Sequence, residues 1–169
     1  MDVLILTGAC GVGKSTISKE WARIKKGAII ECDYFTEWIF NPDFPRWNME
    51  EEKFVANLAA LTSLEYLRNN MSVAIENVWT PIGFTILKNK LEQEPLVTNI
   101  QFVWLYCQSE ENHRRDELRI PENQMKKRVD IVNKQLADQI WPSYVHKIDS
   151  TLLNIKETIQ KIENLNTIY

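Results

Sequence analysis

Apolar and polar positions along this chain fall into short blocks whose period switches between that of a strand and that of a helix. Val3-Leu4-Ile5-Leu6 is an unbroken apolar run of strand length, and Ile17, Trp21 and Ile24 then recur at helical spacing. Gly27 to Asp33 predicts a second strand, followed by a short aromatic helix over 34–40 that Asn41-Pro42 stops. After the loop at 43–47, Asn48 offers a helix N-cap with Glu51 three residues on. Phe54, Leu58, Leu61, Leu64 and Leu67 predict the inner side of the helix that follows, which Asn69-Asn70 ends. Ser72 to Ile75 is a third strand delivering Glu76 and Asn77 to its carboxyl end. Pro81-Ile82-Gly83 opens a helix running to about Gln93, with Pro95 as its limit. The most apolar strand is Ile100 to Cys107. Beyond it, Ser109 caps a helix carrying His113, Arg114, Arg115, Asp116 and Arg119. Pro121 starts another, with Met125, Val129, Val132, Leu136 and Ile140 inward and Trp141-Pro142 at its end. Tyr144 to Asp149 forms a last strand, and Asn154 caps a terminal helix that turns Ile155, Ile159 and Ile162 to the sheet. Strands alternating with helices predict an α/β protein with a parallel sheet covered on both faces. In such sheets ligands bind at the carboxyl ends of the strands.

One stretch lies where that geometry needs it. Gly8-Ala9-Cys10-Gly11-Val12-Gly13-Lys14-Ser15, then Thr16, fits G-x-x-x-x-G-K-[ST] between the first strand and the first helix. Glycines let backbone N–H groups turn inward without a Cβ in the way, and the new helix points its positive end at the same place. Lys14 would reach the terminal phosphates of a nucleotide, and the Ser15 hydroxyl would hold Mg²⁺.

Size and charge narrow the partners. A chain of 169 residues with 44% hydrophobic and 25% charged residues is expected to form one ordinary globular domain. A net charge of -3, with no basic run longer than Lys126-Lys127-Arg128, counts against nucleic acid as the main partner. No apolar stretch approaches a membrane span, and the first residues enter a strand without room for a signal peptide. Cys10, Cys32 and Cys107 are odd in number and lack metal-ligand spacing, so reduced thiols in a cytoplasmic protein are expected.

Further chemistry collects at the predicted strand ends. Glu31 and Asp33, two apart on one strand, lean to the same face. A carboxylate there can take a proton from an attacking hydroxyl or hold Mg²⁺ through water; alternatively Asp33 caps the aromatic helix and Glu31 is solvated. Glu76 ends the third strand, as a metal- or substrate-facing acid or as an exposed strand-end carboxylate. The aromatic patch of Tyr34, Phe35, Trp38, Phe40, Phe44 and Trp47, with Arg46 inside it, either lines a pocket for a small acceptor or covers the core. Arg115 and Arg119, spaced i and i+4, share a helical face aimed at a transferring phosphoryl group, or pair with Glu111 and Asp116. His113 and His146 have no partner visible in the sequence and receive no catalytic role.

Over its whole length the chain resembles small-molecule kinases of the phosphate-loop superfamily and is similar to shikimate kinase, gluconate kinase, chloramphenicol phosphotransferase and nucleotide kinases. The resemblance rests on GACGVGKST at 8–16, on Glu-Cys-Asp at 31–33, and on HRRDELR at 113–119. A late strand ending Lys147-Ile148-Asp149 before a helix matches the segment that wraps the adenine. The resemblance implies a three-layer fold with a five-stranded sheet in the order 2-3-1-4-5, a short lid at about 113–124 and a substrate-binding segment at about 34–70. It implies ATP and Mg²⁺ as cofactors, with residues 8–16 and Arg115 at the nucleotide and Ser15 with Glu31 at the metal. Lys14 would steady the phosphates, and Asp33 would orient or deprotonate the acceptor hydroxyl. Arg115 and Arg119 would be lid arginines, and Phe35, Trp38, Arg46 and Glu76 would face the acceptor with Asp33. Where shikimate kinase carries a glycine-rich loop this chain reads Glu76-Asn77-Val78-Trp79, which counts against shikimate. The lid is too short for a long-lid adenylate kinase and lacks its cysteine pairs.

The reading is therefore an ATP- and Mg²⁺-dependent kinase acting on a hydroxyl of a small molecule. Two alternatives are a regulatory NTPase working through a protein partner and a non-catalytic nucleotide-binding module. No Asp-x-x-Gly occurs, and Asn89-Lys90-Leu91-Glu92 falls inside a predicted helix, so a guanine switch is disfavoured.

Overall fold

Strand β1 (Asp2–Thr7) is buried along nearly its whole length, and its alternation sorts the core into two layers. Val3 and Ile5 face one side and Leu4 and Leu6 the other, as the two-residue period of a strand requires. The computed structural model describes residues 1–165. Around β1 lie β2 (Ala28–Glu31), β3 (Val73–Glu76), β4 (Asn99–Tyr106) and β5 (Val145–Asp149), all parallel, in the order β2-β3-β1-β4-β5. The helices are α1 (Lys14–Ile24), α2 (Tyr34–Glu37), α3 (Met49–Arg68), α4 (Pro81–Leu91), α5 (Ser109–Glu117), α6 (Arg128–Ala137) and α7 (Ile155–Glu163). One layer packs Val55, Ala59, Trp79, Phe84 and Leu87 from the α3–α4 side, and the other packs Trp21, Leu136, Ile159 and Ile162 from α1, α6 and α7. The sheet order and the three layers agree with the expectation drawn from the sequence. None of the described helices is long and apolar enough to cross a membrane.

The apolar face of α3 is not the predicted leucine row. Val55, Ala56, Ala59, Ala60, Ser63 and Leu67 are buried, whereas Phe54 and Leu61 are exposed and Leu58 and Leu64 half-buried. Small side chains let a long helix lie close to the sheet and to α4, and the leucines fill only the margins. Ile24 and Ile155 are exposed too, and Ile140, 93% exposed, lies beyond the end of α6. The helix predicted from Pro121 is broken: a single 3₁₀ turn (Pro121–Asn123) precedes α6, and Met125 is half-buried. Strand β2 stops at Glu31, so Cys32 and Asp33 lie past it, although the Cys32 N–H still bonds the Glu76 carbonyl at 3.1 Å. The caps at Asn48 and Asn154 form as expected, the latter as a full capping box with Glu157. Ser109 is instead the first residue of α5, whose cap position is Gln108.

A contact that the sequence did not signal joins the two helices under β3. From α3 the Glu52 carboxylate accepts from the Thr80 N–H (2.6 Å), the Thr80 hydroxyl (2.8 Å) and the Gly83 N–H (3.1 Å). It thereby closes the amino end of α4, where N–H groups lack partners in their own helix. Burial pushes the Glu52 carboxyl above its ordinary value, against the pull of these donors. Replacing Glu52→Ala is expected to lower stability by about 1–2 kcal/mol, measured as a lower urea midpoint with an unchanged slope.

Candidate active site

The loop after β1 is shaped by backbone that only glycine adopts easily. Gly11 has φ 81° and Gly13, the residue preceding α1, has φ 101°. The Gly13 carbonyl accepts the Ile17 N–H at 2.9 Å, so α1 starts at once, and no acidic side chain in its first turn screens its positive end. The Lys14 ammonium folds back onto the Gly8 and Ala9 carbonyls at 2.8 and 3.1 Å. The Ser15 hydroxyl donates to Glu76 Oε1 at 2.7 Å. Thr16 is exposed beside it.

Glu76, 8% exposed, is the carboxylate that reaches Ser15. Parallel register sets it level with Leu6 on one side and Glu31 on the other. Burial raises its pKa; Lys14 and the Ser15 bond pull the other way, and the charges of Asp33 and Glu31 add to the rise. Glu31 itself is ion-paired with Lys19 at 2.8 Å. Asp33 does not share a strand face with Glu31, because it has turned into helical backbone (φ -55°, ψ -33°) ahead of α2. Its exposed carboxylate does not cap α2 and has no hydrogen-bond partner among the described residues.

Helix α5 lies against the loop. Buried Asn112 donates from Nδ2 to the Cys10 carbonyl at 2.7 Å. Arg115 donates to the Val12 carbonyl (3.2 Å), the Ser150 hydroxyl (3.2 Å) and the Ser150 carbonyl (2.8 Å), tying the phosphate loop to the turn after β5. Its Nε also reaches Glu111 at 2.6 Å. Hydrogen bonds from Arg114 and then Arg115 pull the Glu111 carboxyl down to about 2. Between loop and turn opens a cleft of about 720 Å³ lined by Val12, Gly13, Arg115, Ser150, Leu152 and Leu153 among others.

Arg119 does not share a helical face with Arg115, since α5 ends at Glu117. It pairs instead with Asp116 at 3.3 Å. Asp116, 2% exposed, also accepts the Met125 and Lys126 N–H groups, both at 2.8 Å, which folds the segment between α5 and α6 back onto α5. His113, for which the sequence showed no partner, bonds Asp130 at 2.9 Å, and Ser109 bonds the same carboxylate. In the aromatic segment only Phe35 packs on the core; Trp38 is 73% exposed, as are Tyr34, Phe40 and Trp47 to similar degrees. Arg46 is spent on structure, donating to the Thr36 and Ile39 carbonyls, both at 3.0 Å, while stacking on Phe44. Trp47, at φ 57°, carries the Arg128 guanidinium 4.1 Å from its ring centre, so this segment reaches across to α6. The described cysteines are free, Cys32 and Cys107 buried and Cys10 half-buried in the loop.

The sequence reading overlooked Asn112 and Glu52. Asn112 lies one helical turn before Arg115, and that spacing was the signal available for it.

No protein-family model and no curated protein matches the chain. Solved structures do match it in fold. One is an unliganded sugar kinase from Janibacter sp. HTCC2649, 14% identical, with a TM-score of 0.70 over 95% of this chain and 90% of that one. The APS kinase of Mycobacterium tuberculosis in complex with AMPPNP and APS is 15% identical, with a TM-score of 0.67 over 96% and 95% of the two chains. A gluconokinase from Sinorhizobium meliloti 1021 is 15% identical, with a TM-score of 0.61 over 96% and 94%. The chain thus carries the fold of phosphate-loop small-molecule kinases.

The buried Glu76 charge has a measurable consequence. Its folded pKa stands above the unfolded one, so the folded state binds the proton more tightly and gains stability as pH falls toward 4.5. Glu76→Gln, which still accepts from Ser15, should raise the melting temperature of the ligand-free protein by roughly 1–3 °C at pH 7. The gap should narrow as the pH of the melt is lowered through the raised pKa.

Proposed function

We propose that this protein is a phosphotransferase that moves the γ-phosphoryl group of ATP, with Mg²⁺, to a hydroxyl of a small-molecule acceptor. The observation that carries the reading is the Ser15–Glu76 hydrogen bond at the amino end of α1, with Lys14 beside it. That pair suits a hard divalent cation: both donors are oxygens, and a cation there would offset the desolvation that now raises the Glu76 pKa. No group of three or more His, Cys, Asp or Glu side chains fit to hold a metal occurs among the described residues. Mg²⁺ keeps waters and uses one or two protein oxygens with the substrate's phosphates, so Ser15 and Glu76 would suffice to hold it. When bound, the metal would neutralise charge on the transferring group.

The chain's own residues supply the rest. Backbone N–H groups of the loop and the first turn of α1 hold the phosphates, and Lys14 leaves the Gly8 and Ala9 carbonyls to reach them. The nucleoside occupies the cleft beside Arg115 and Ser150. Asp33, exposed and without a hydrogen-bond partner among the described residues, accepts the proton of the attacking hydroxyl. Arg119, half-buried and held among the described residues by its bond to buried Asp116, can swing to the phosphoryl group. The acceptor enters over Asp33 between the aromatic segment and the lid. Sugar, gluconate and APS kinases of the same fold support a hydroxyl-bearing small molecule as its class.

A library of hydroxylated metabolites, offered with ATP and Mg²⁺, should contain at least one that stimulates ADP release, and Asp33→Asn should cut kcat on it by about 10²–10⁴-fold with ATP affinity unchanged. Slow, acceptor-independent hydrolysis would favour a regulatory NTPase, and the absence of any turnover a binding module. Wild-type turnover by Asp33→Asn would remove Asp33 from the mechanism.

A further inference from the structure

Asn112 is wholly buried in the middle of α5, where an amide side chain must find partners for both its ends. Its partners determine which way the amide faces. The Cys10 carbonyl, 2.7 Å away, can only accept, so the Asn112 NH₂ group lies on that side. The Asn112 oxygen then accepts from Asn133 Nδ2 of α6 at 2.9 Å. Asn133 is half-buried, and this bond selects the orientation of the Asn112 amide that can hold the loop. The fit on the loop side is close: a Cβ on Gly11 would lie 2.8 Å from Asn112 Nδ2.

A trans peptide points its C=O and the following N–H in opposite directions, and the described loop has no cis bond. Drawing the Cys10 carbonyl onto Asn112 therefore aims the Gly11 N–H away from α5. The Arg115 bond to the Val12 carbonyl does the same for the Gly13 N–H.

We propose that Asn112, with its amide oriented by Asn133, is a positioning residue that aims the Gly11 N–H into the phosphate site, so that α6 sets the anion affinity of the loop through a two-asparagine relay. This rests on the reading of the loop as a nucleotide site. Neither asparagine touches the phosphates. The relay works because the loop's carbonyls and its amides are two ends of the same peptide planes.

Reversing the relay's polarity tests it. Asn133→Asp replaces the donor with an acceptor of the same shape, so the Asn112 amide turns its NH₂ group to α6 and its oxygen to the Cys10 carbonyl. Asn112→Asp places a carboxylate against that carbonyl directly. Each variant and the wild type are titrated calorimetrically with ADP plus Mg²⁺, with melting curves in parallel. The expected result is ADP affinity about tenfold weaker in Asn133→Asp, with a melting temperature lowered by roughly 2–10 °C because the Cys10 carbonyl loses its donor. Asn133→Gln, which keeps a donor, should retain more of the affinity than Asn133→Asp. ADP affinity within twofold of wild type in Asn133→Asp would overturn the relay while leaving the nucleotide site intact, whatever Asn112→Asp does to folding. A wild type that takes up no ADP would overturn the underlying reading and the relay with it.

Discussion

A loop that presents its amides to a ligand must dispose of the carbonyls on the other side of the same peptide planes. Between β1 and α1 this constraint is met by borrowed donors. Asn112 and Arg115 on α5 take the Cys10 and Val12 carbonyls, and Lys14 takes those of Gly8 and Ala9. A buried carbonyl without a partner costs about 1–3 kcal/mol, so the loop's shape depends on α5 being where it is. Much else in the molecule serves that placement. Strand β4, paired along the full length of β1, delivers α5 beside the loop. Asp116 gathers the following segment onto α5, and Arg115 continues to Ser150 after β5. The loop after β1, the cleft beside it and the segment between α5 and α6 are in this sense one hydrogen-bonded unit centred on a helix with few apolar residues.

The opposite side of the cleft is governed by charge. Glu31 and Glu76 end neighbouring strands in register, and Asp33 follows two residues after Glu31. Three carboxylates so close repel one another, and the structure divides their roles by partner. Lys19 neutralises Glu31, Ser15 and the nearby Lys14 engage Glu76, and Asp33 is left open to solvent. Glu76 bears the cost of burial, so the ligand-free site is less stable than an uncharged one would be. Functional sites commonly hold such strain, and on the proposed function a cation beside Ser15 is the group that would relieve it.

The sheet was legible in the sequence because its strands are short apolar runs punctuated by Gly, Pro and Asn, and because one glycine-rich motif fixes the strand–loop–helix at its centre. The α3 face was misjudged because alanines carry little weight in an apolar pattern yet are what a close helix contact needs. Asp33 and Arg119 were each assigned to an element that ends too soon, at Glu31 and Glu117, and two residues are enough to redirect a side chain. Arg46 read as facing the acceptor from its place in the aromatic patch, whereas its bonds go to backbone carbonyls ten and seven residues earlier. Asn112 and Glu52 were missed for a related reason. Each satisfies backbone groups distant in the chain, and no local pattern encodes that.

The central claim is that the loop's amides, held open by α5, receive the phosphates of a nucleoside triphosphate. Its most direct test is a ¹H–¹⁵N titration of the uniformly labelled protein with a non-hydrolysable ATP analogue and Mg²⁺. Saturable downfield shifts of the Gly11, Gly13 and Lys14 amide protons, among the largest in the spectrum, are the expected result. Loop amides that stay in place while the analogue saturates a site elsewhere, or that never respond at any concentration, would contradict it.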